Sequence, residues 1–209
     1  MHLPDGILPL EQSIVYWCIS LMFVAVFLYK FSKNEDKERG IILIALFSVF
    51  FIVVTSLSVP SPLGVPIHFF LIPLVAIMLG PFRAYMVAFF GLLIQFFVLN
   101  MGGIVCFGAN FLVIGVIIAF MTFAFYNIFR HINESLAIFL STVIGIMSAT
   151  FGQVFILILS GAMNLDSLLA TLVPFYMFIS LIEGFANVII INAIKKIKPE
   201  MVELSKNGC

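Results

Sequence analysis

Charge is what this sequence has least of. Ten Lys and Arg and ten Asp and Glu are spread over 209 residues, so only 10% of side chains are charged, against about a quarter in a soluble domain. That scarcity excludes a solvated globular surface, and no nucleic-acid partner is expected from so few cations. Cysteine is scarce too. Cys18, Cys106 and Cys209 show no CxxC spacing and are read as inert thiols rather than ligands. A GxxxxGK[ST] phosphate loop, an HExxH zinc motif and a GxSxG nucleophile elbow are all missing. The chain is therefore not expected to be an enzyme, and any uphill transport would draw its energy from a partner.

What the sequence does have is apolar surface, at 63% hydrophobic residues and a mean hydropathy of +1.25. Runs long enough to cross a bilayer as helices recur throughout. The expected fold is all-α, a polytopic membrane protein in a single domain over residues 1–209. It divides into an N-terminal segment 1–11, a seven-helix bundle 12–194 and a tail 195–209. Hydropathy and turn residues place spans at 12–29, 40–58, 66–80, 84–99, 108–129, 135–159 and 168–193. The third is short and contains Pro73.

Counting seven spans puts every basic residue on one side. Lys30, Lys33, Lys37 and Arg39 follow the first span, Arg83 the third, Arg130 the fifth, and Lys195, Lys196, Lys198 and Lys206 the last. The positive-inside rule makes that side cytoplasmic, with the N-terminus outside and the C-terminus inside a cell membrane. The external loops keep Asp5, Glu11 and Asp166 and no cation.

The chain opens Met1-His2-Leu3-Pro4-Asp5-Gly6, with nothing before His2 that reads as a removable signal peptide. A free terminal amine, the backbone nitrogen of His2 and its imidazole Nδ1 can close two fused chelate rings around one cation. Three nitrogens so held favour a tetragonal ion such as Ni(II) or Cu(II) over tetrahedral Zn(II). A square-planar ion needs a fourth donor, and His68 is the only other histidine expected on the external side, since His131 follows Arg130. Gln95 and Asn110 fall in the same layer as His68, within roughly 6 Å of the external boundary at 1.5 Å per residue. Each reads as a helix-capping or interhelical bond as readily as a member of the metal site.

Glu183 is the only charged residue in the middle of a span. Helix rise places it roughly 22 Å below the external surface. It is read as a buried hydrogen-bonding or partner-docking residue, and less readily as a second ion site.

These residues resemble the CbiM/NikM family, the substrate-binding components of cobalt and nickel energy-coupling factor transporters. The likeness lies in Met1 to Gly6, His68, Leu79-Gly80-Pro81, Gln95, Gly102-Gly103, Gly108-Ala109-Asn110 and Glu183-Gly184. Around His68 the chain has Ile67-His68-Phe69-Phe70, bulkier than the small-residue surround usual in such families. The resemblance implies seven membrane helices with the N-terminal segment plugged into the external side. It also implies Ni(II) or Co(II) as cargo, held by the amine of Met1, both nitrogens of His2 and the imidazole of His68. The partners implied are a transmembrane coupling subunit, cytoplasmic ATPase subunits and a small auxiliary membrane protein. The residues alone leave open a stand-alone divalent-metal channel or secondary transporter, and a haem-binding membrane subunit, for which His68 has no partner at its depth.

Overall fold

A computed structural model describes residues 2–33, 36–56 and 68–197. Seven helices form among them: α1 (Leu10–Ser32), α2 (Lys37–Ser56), α3 (Ile72–Leu79), α4 (Pro81–Leu99), α5 (Phe107–Phe129), α6 (Glu134–Leu159) and α7 (Leu165–Ile197). No strand occurs among the described residues. Six of the helices are long and apolar enough to span a membrane, α3 being the exception. These six match the expected spans to within a few residues, because apolar length and turn residues mark both ends of each.

α3 departs from expectation. The helix expected from Pro66 begins only at Ile72, and His68 to Phe70 lead into it without helical turns. Pro73 explains the late start. It has no N–H to give an earlier turn and its ring clashes with the carbonyl four residues back, so it is tolerated in a first turn. Leu71 sits just before the helix at φ 60, a left-handed conformation unusual for leucine. At the other end Gly80, at φ 84, closes α3 and opens α4 with Pro81 in its first turn. That corner needs glycine, since a Cβ disfavours this φ.

The path of α3 follows from its neighbours. α2 and α4 run parallel: a Cβ on Gly40, at the start of α2, would lie 3.9 Å from Nε of Arg83, at the start of α4. At their far ends Gln95 Nε2 donates to Thr55 Oγ1. The chain between Ser56 and Pro81 must therefore return from one face of the bundle to the other. α3 supplies eight residues of that return, about 12 Å at helical rise, and all eight are buried. It lies among α4, α5, α6 and α7, so its apolar side chains face protein rather than lipid.

The long α6–α7 pair forms the firmest wall. It is closed at its base by the Lys195–Glu134 ion pair and by Asn192 Nδ2 donating to Ser135 Oγ at 3.2 Å. α1 is peripheral and buries only Ser13, Ser20 and Phe27. Its contact with the bundle centres on the start of α5, where Ser20 Oγ donates to the Gly108 carbonyl at 2.9 Å. The described basic residues all lie at the face opposite the N-terminal segment. Lys198 and Lys206 fall outside the described residues.

Candidate metal site

Residues 2–9 precede α1 and are fastened to the loop after α4 and to the start of α5. Leu3 N–H donates to Asn110 Oδ1 at 2.8 Å, and Asn110 Nδ2 donates back to the Leu3 carbonyl at 3.0 Å. One amide side chain thus satisfies both backbone groups of one residue, as a neighbouring strand would. Asp5 then accepts from the N–H groups of Ile104 at 3.1 Å, Val105 at 2.9 Å and Cys106 at 3.2 Å. A carboxylate gathering three amides in this way is a strong, charge-assisted anchor. Cys106 Sγ donates to the Pro4 carbonyl at 3.2 Å, and Leu3 and Leu8 are buried. Asn110 is accordingly a clamp on the segment, one bond removed from His2.

This anchoring leaves no room beside Gly103. A Cβ there would come within 2.0 Å of Asp5 Oδ1 and 2.4 Å of its backbone nitrogen. Gly103→Ala is expected to lift residues 2–5 from the loop and weaken metal binding by at least about tenfold, the scale on which outer partners of a metal ligand act. Calorimetric titration with Ni(II) checks this, and unchanged affinity would show that the loop contact is dispensable.

His2 and His68 line one small cavity of about 40 Å³, together with Thr55, Phe70, Ile114 and Tyr176. His68 Nδ1 lies 3.1 Å from the Thr55 carbonyl. A carbonyl only accepts, so Nδ1 carries a proton, and in the neutral ring Nε2 is the nitrogen with the free lone pair. Thr55 is itself held by Gln95 and by its Oγ1 donating to the Phe51 carbonyl at 2.6 Å. Gln95 therefore reaches His68 through Thr55. Its Oε1, fully buried, has no hydrogen-bond partner among the described residues.

Glu183 fixes the other side of the His68 segment. Its Oε2 accepts from Phe70 N–H at 2.8 Å and its Oε1 from Leu71 N–H at 2.9 Å. It is 2% exposed, so it presents nothing to a docking partner. The separation expected between Glu183 and His68 is also corrected. Glu183 bonds to Phe70 and Leu71, two and three residues from His68. Counting residues down a membrane normal therefore overstated its distance from the His68 segment, which runs into the bundle before α3 begins. Glu183→Ala strands two buried N–H groups, which costs about 1–3 kcal/mol each. The expected outcome is lower thermal stability together with weaker metal binding, read by melting and titration of the same preparation.

Burial pushes the His2 imidazole down to about 3, helped by the proximity of His68. The ring is thus held neutral, the form a metal requires. Because the folded value lies below the ordinary 6.5, docking of the segment is fully supported above pH 6.5. Support is lost as pH falls from 6.5 towards 3, at about 1.4 kcal/mol per pH unit. Trp17, the single tryptophan, donates to the Ile104 carbonyl at 2.9 Å in the same loop. Its fluorescence is expected to change over that range, and the change to flatten in His2→Gln. An unaltered transition in the variant would remove His2 as its source.

Among the described residues no group of three or more His, Cys, Asp or Glu side chains gathers around a possible metal. Two imidazoles alone do not complete a coordination sphere, so an ion held here would need further donors from the backbone, the terminus or water. Met1 lies outside the described residues. Asp5 is the anchoring residue that the sequence reading missed, whereas Thr55, closing the second expected span, falls by sequence at the height of His68. The only local signal for Asp5 was an acid beside a Gly6 turn, and nothing beyond that shared height marked Thr55 as the partner of His68.

A family model described as the cobalt uptake substrate-specific transmembrane region, CbiM, matches residues 2–201. A cobalt transport protein CbiM of Clostridium tetani is 27% identical over 98% of this chain and 88% of its own length. One of Listeria seeligeri is 29% identical over 97% and 87%. A protein of Archaeoglobus fulgidus that carries the name of a fused nickel transport protein, NikMN, is 27% identical over 97% of this chain and 68% of its own. A crystal structure of a transition metal transporter superposes with a TM-score of 0.84 at 22% identity, covering 94% of this chain and 93% of that one. At that identity the likeness concerns the fold.

Proposed function

The chain belongs to the CbiM family, and on that premise we propose that it is the metal-capturing subunit of a cobalt or nickel importer. Ni(II) or Co(II) is the cargo. Its donors are the terminal amine of Met1, the backbone nitrogen and imidazole of His2, and Nε2 of His68. The observation that carries this reading is the shared cavity of His2 and His68, whose residues come from segments more than sixty positions apart. Asn110 and Asp5 hold His2 in place, and the Gln95–Thr55 pair and Glu183 hold His68.

The N-terminal segment faces outward and the basic face inward, in keeping with the distribution of Lys and Arg. Beneath the cavity lies α3, with Ile72, Leu74, Val75, Ile77, Met78 and Leu79 at most 1% exposed. An ion needs polar or hydrated surroundings at each step, and this apolar plug offers none. Release towards the cytoplasm therefore requires the bundle to be moved. A transmembrane coupling subunit, ATPase subunits and a small auxiliary membrane protein would supply that motion. Purified protein in liposomes is expected to bind Ni(II) yet pass none inward. Steady uptake without ATPase partners would instead support a stand-alone channel.

The donor set discriminates poorly among late first-row ions, and Cu(II) stands above Ni(II) and Co(II) on intrinsic affinity. Competition titration is expected to show Cu(II) displacing Ni(II). Failure of copper to compete would contradict an all-nitrogen tetragonal site.

A further inference from the structure

At the basic face, α1, α2 and α4 diverge around an open groove of about 510 Å³. Phe27, Phe31, Ile41, Ile44, Met86 and Ile94 form most of its walls, and its lining exposes no polar surface. α1 and α2 hardly touch one another, each leaning instead on other parts of the bundle. From Met86 to Ile94 the groove follows α4 for two turns, about 12 Å along the helix, room for the upper part of an acyl chain.

Its mouth is cationic. Lys30 Nζ sits 3.9 Å from the Phe82 ring centroid. A Cβ on Gly40 would lie between Phe31, at 2.8 Å, and Arg83 Nε, at 3.9 Å. Arg39 is close enough to repel Arg83, and Asp36 close enough to attract it. Residues 30–39 nearly balance themselves, with four basic and three acidic side chains, so Arg83 from α4 tips the cluster positive. No hydrogen bond to the guanidinium of Arg39 or Arg83 occurs among the described residues. Two arginines side by side above an apolar trough, with Asp36 the nearby acid, suit an anion with a hydrocarbon tail.

We propose that this groove binds one anionic phospholipid from the leaflet at the basic face, its phosphate at Lys30, Arg39 and Arg83 and an acyl chain along α4. The anionic inner leaflet supplies such lipids, and basic residues near it attract them. Guanidiniums suit the phosphate because their planar fork pairs two oxygens at once. The site is separate from the metal cavity and stands whether or not the transport reading does.

Native mass spectrometry of the detergent-solubilised protein titrated with phosphatidylglycerol or phosphatidylcholine tests the proposal. Phosphatidylglycerol is expected to remain bound at least about tenfold more than phosphatidylcholine. The double variant Arg39→Gln, Arg83→Gln is expected to fall to the phosphatidylcholine level, while Arg130→Gln, an exposed cation at the same face, is expected to retain it. Ile44→Trp fills the trough with all charges intact and is also expected to lose the lipid. Circular dichroism and thermal melting of each variant establish that the bundle is folded. Equal binding of the two lipids overturns the proposal, as does full binding by the double variant. So does protection of the groove only when partner subunits are added, which would assign it to a partner's helix.

Discussion

Replacing His2 with alanine is expected to cut Ni(II) affinity by at least about a thousandfold, or about 4 kcal/mol. The substitution removes an imidazole and also dismantles the chelate in which that ring closes the six-membered cycle. The remaining terminal amine and backbone nitrogen form only one ring. Deprotonating a backbone amide for a metal is favourable only when donors on both sides hold the ion in place. The variant should still fold, because Leu3 and Asp5 carry the fastening of the segment through Asn110 and the loop amides. A fully folded His2→Ala protein with undiminished affinity would remove His2 from the site.

His68→Ala is expected to lose about a hundredfold or more, an effect that separates ligand from scaffold when compared with His68→Gln. Glutamine can still donate to the Thr55 carbonyl through its amide, and so keeps the bond that His68 Nδ1 makes there at 3.1 Å. It offers no imidazole nitrogen to the ion. If His68 is a ligand, both variants fail together and the Ni(II) d–d absorption of a square-planar complex is replaced by a weaker-field spectrum. If the ring only orders the segment before α3, glutamine restores most of the affinity. Titration of the two variants alongside the unaltered protein distinguishes these outcomes.

Much of the architecture was legible because hydropathy reports what lipid requires. α2, α4, α5 and α6 begin and end within three residues of their expected bounds, where Asn100-Met101-Gly102-Gly103 and similar turns interrupt apolar runs. The same signal misjudged α3, since a helix surrounded by protein is as apolar as one facing lipid, and Pro73 decided its start. Site residues were legible where their chemistry is local. His2 beside a terminal amine is a chelate on paper, and a lone external histidine is a natural fourth donor. The supporting contacts were not legible because they join residues far apart: Asn110 to Leu3 and Glu183 to Phe70, separated by 107 and 113 positions. Asp5 looked like loose external charge until the loop amides were seen converging on it.

The central claim is that the cargo is held by the very start of the chain, with the terminal amine as a donor. The most direct measurement is calorimetric titration of Ni(II) into protein whose N-terminus is confirmed by mass as Met1, against the same protein carrying one additional glycine ahead of it. The added residue leaves His2, His68, Asn110 and Asp5 unaltered but moves the primary amine away and breaks the fused-ring geometry. Tight binding by the first and loss of at least about a hundredfold in the second is the predicted result. Equal affinity in the two proteins would contradict it.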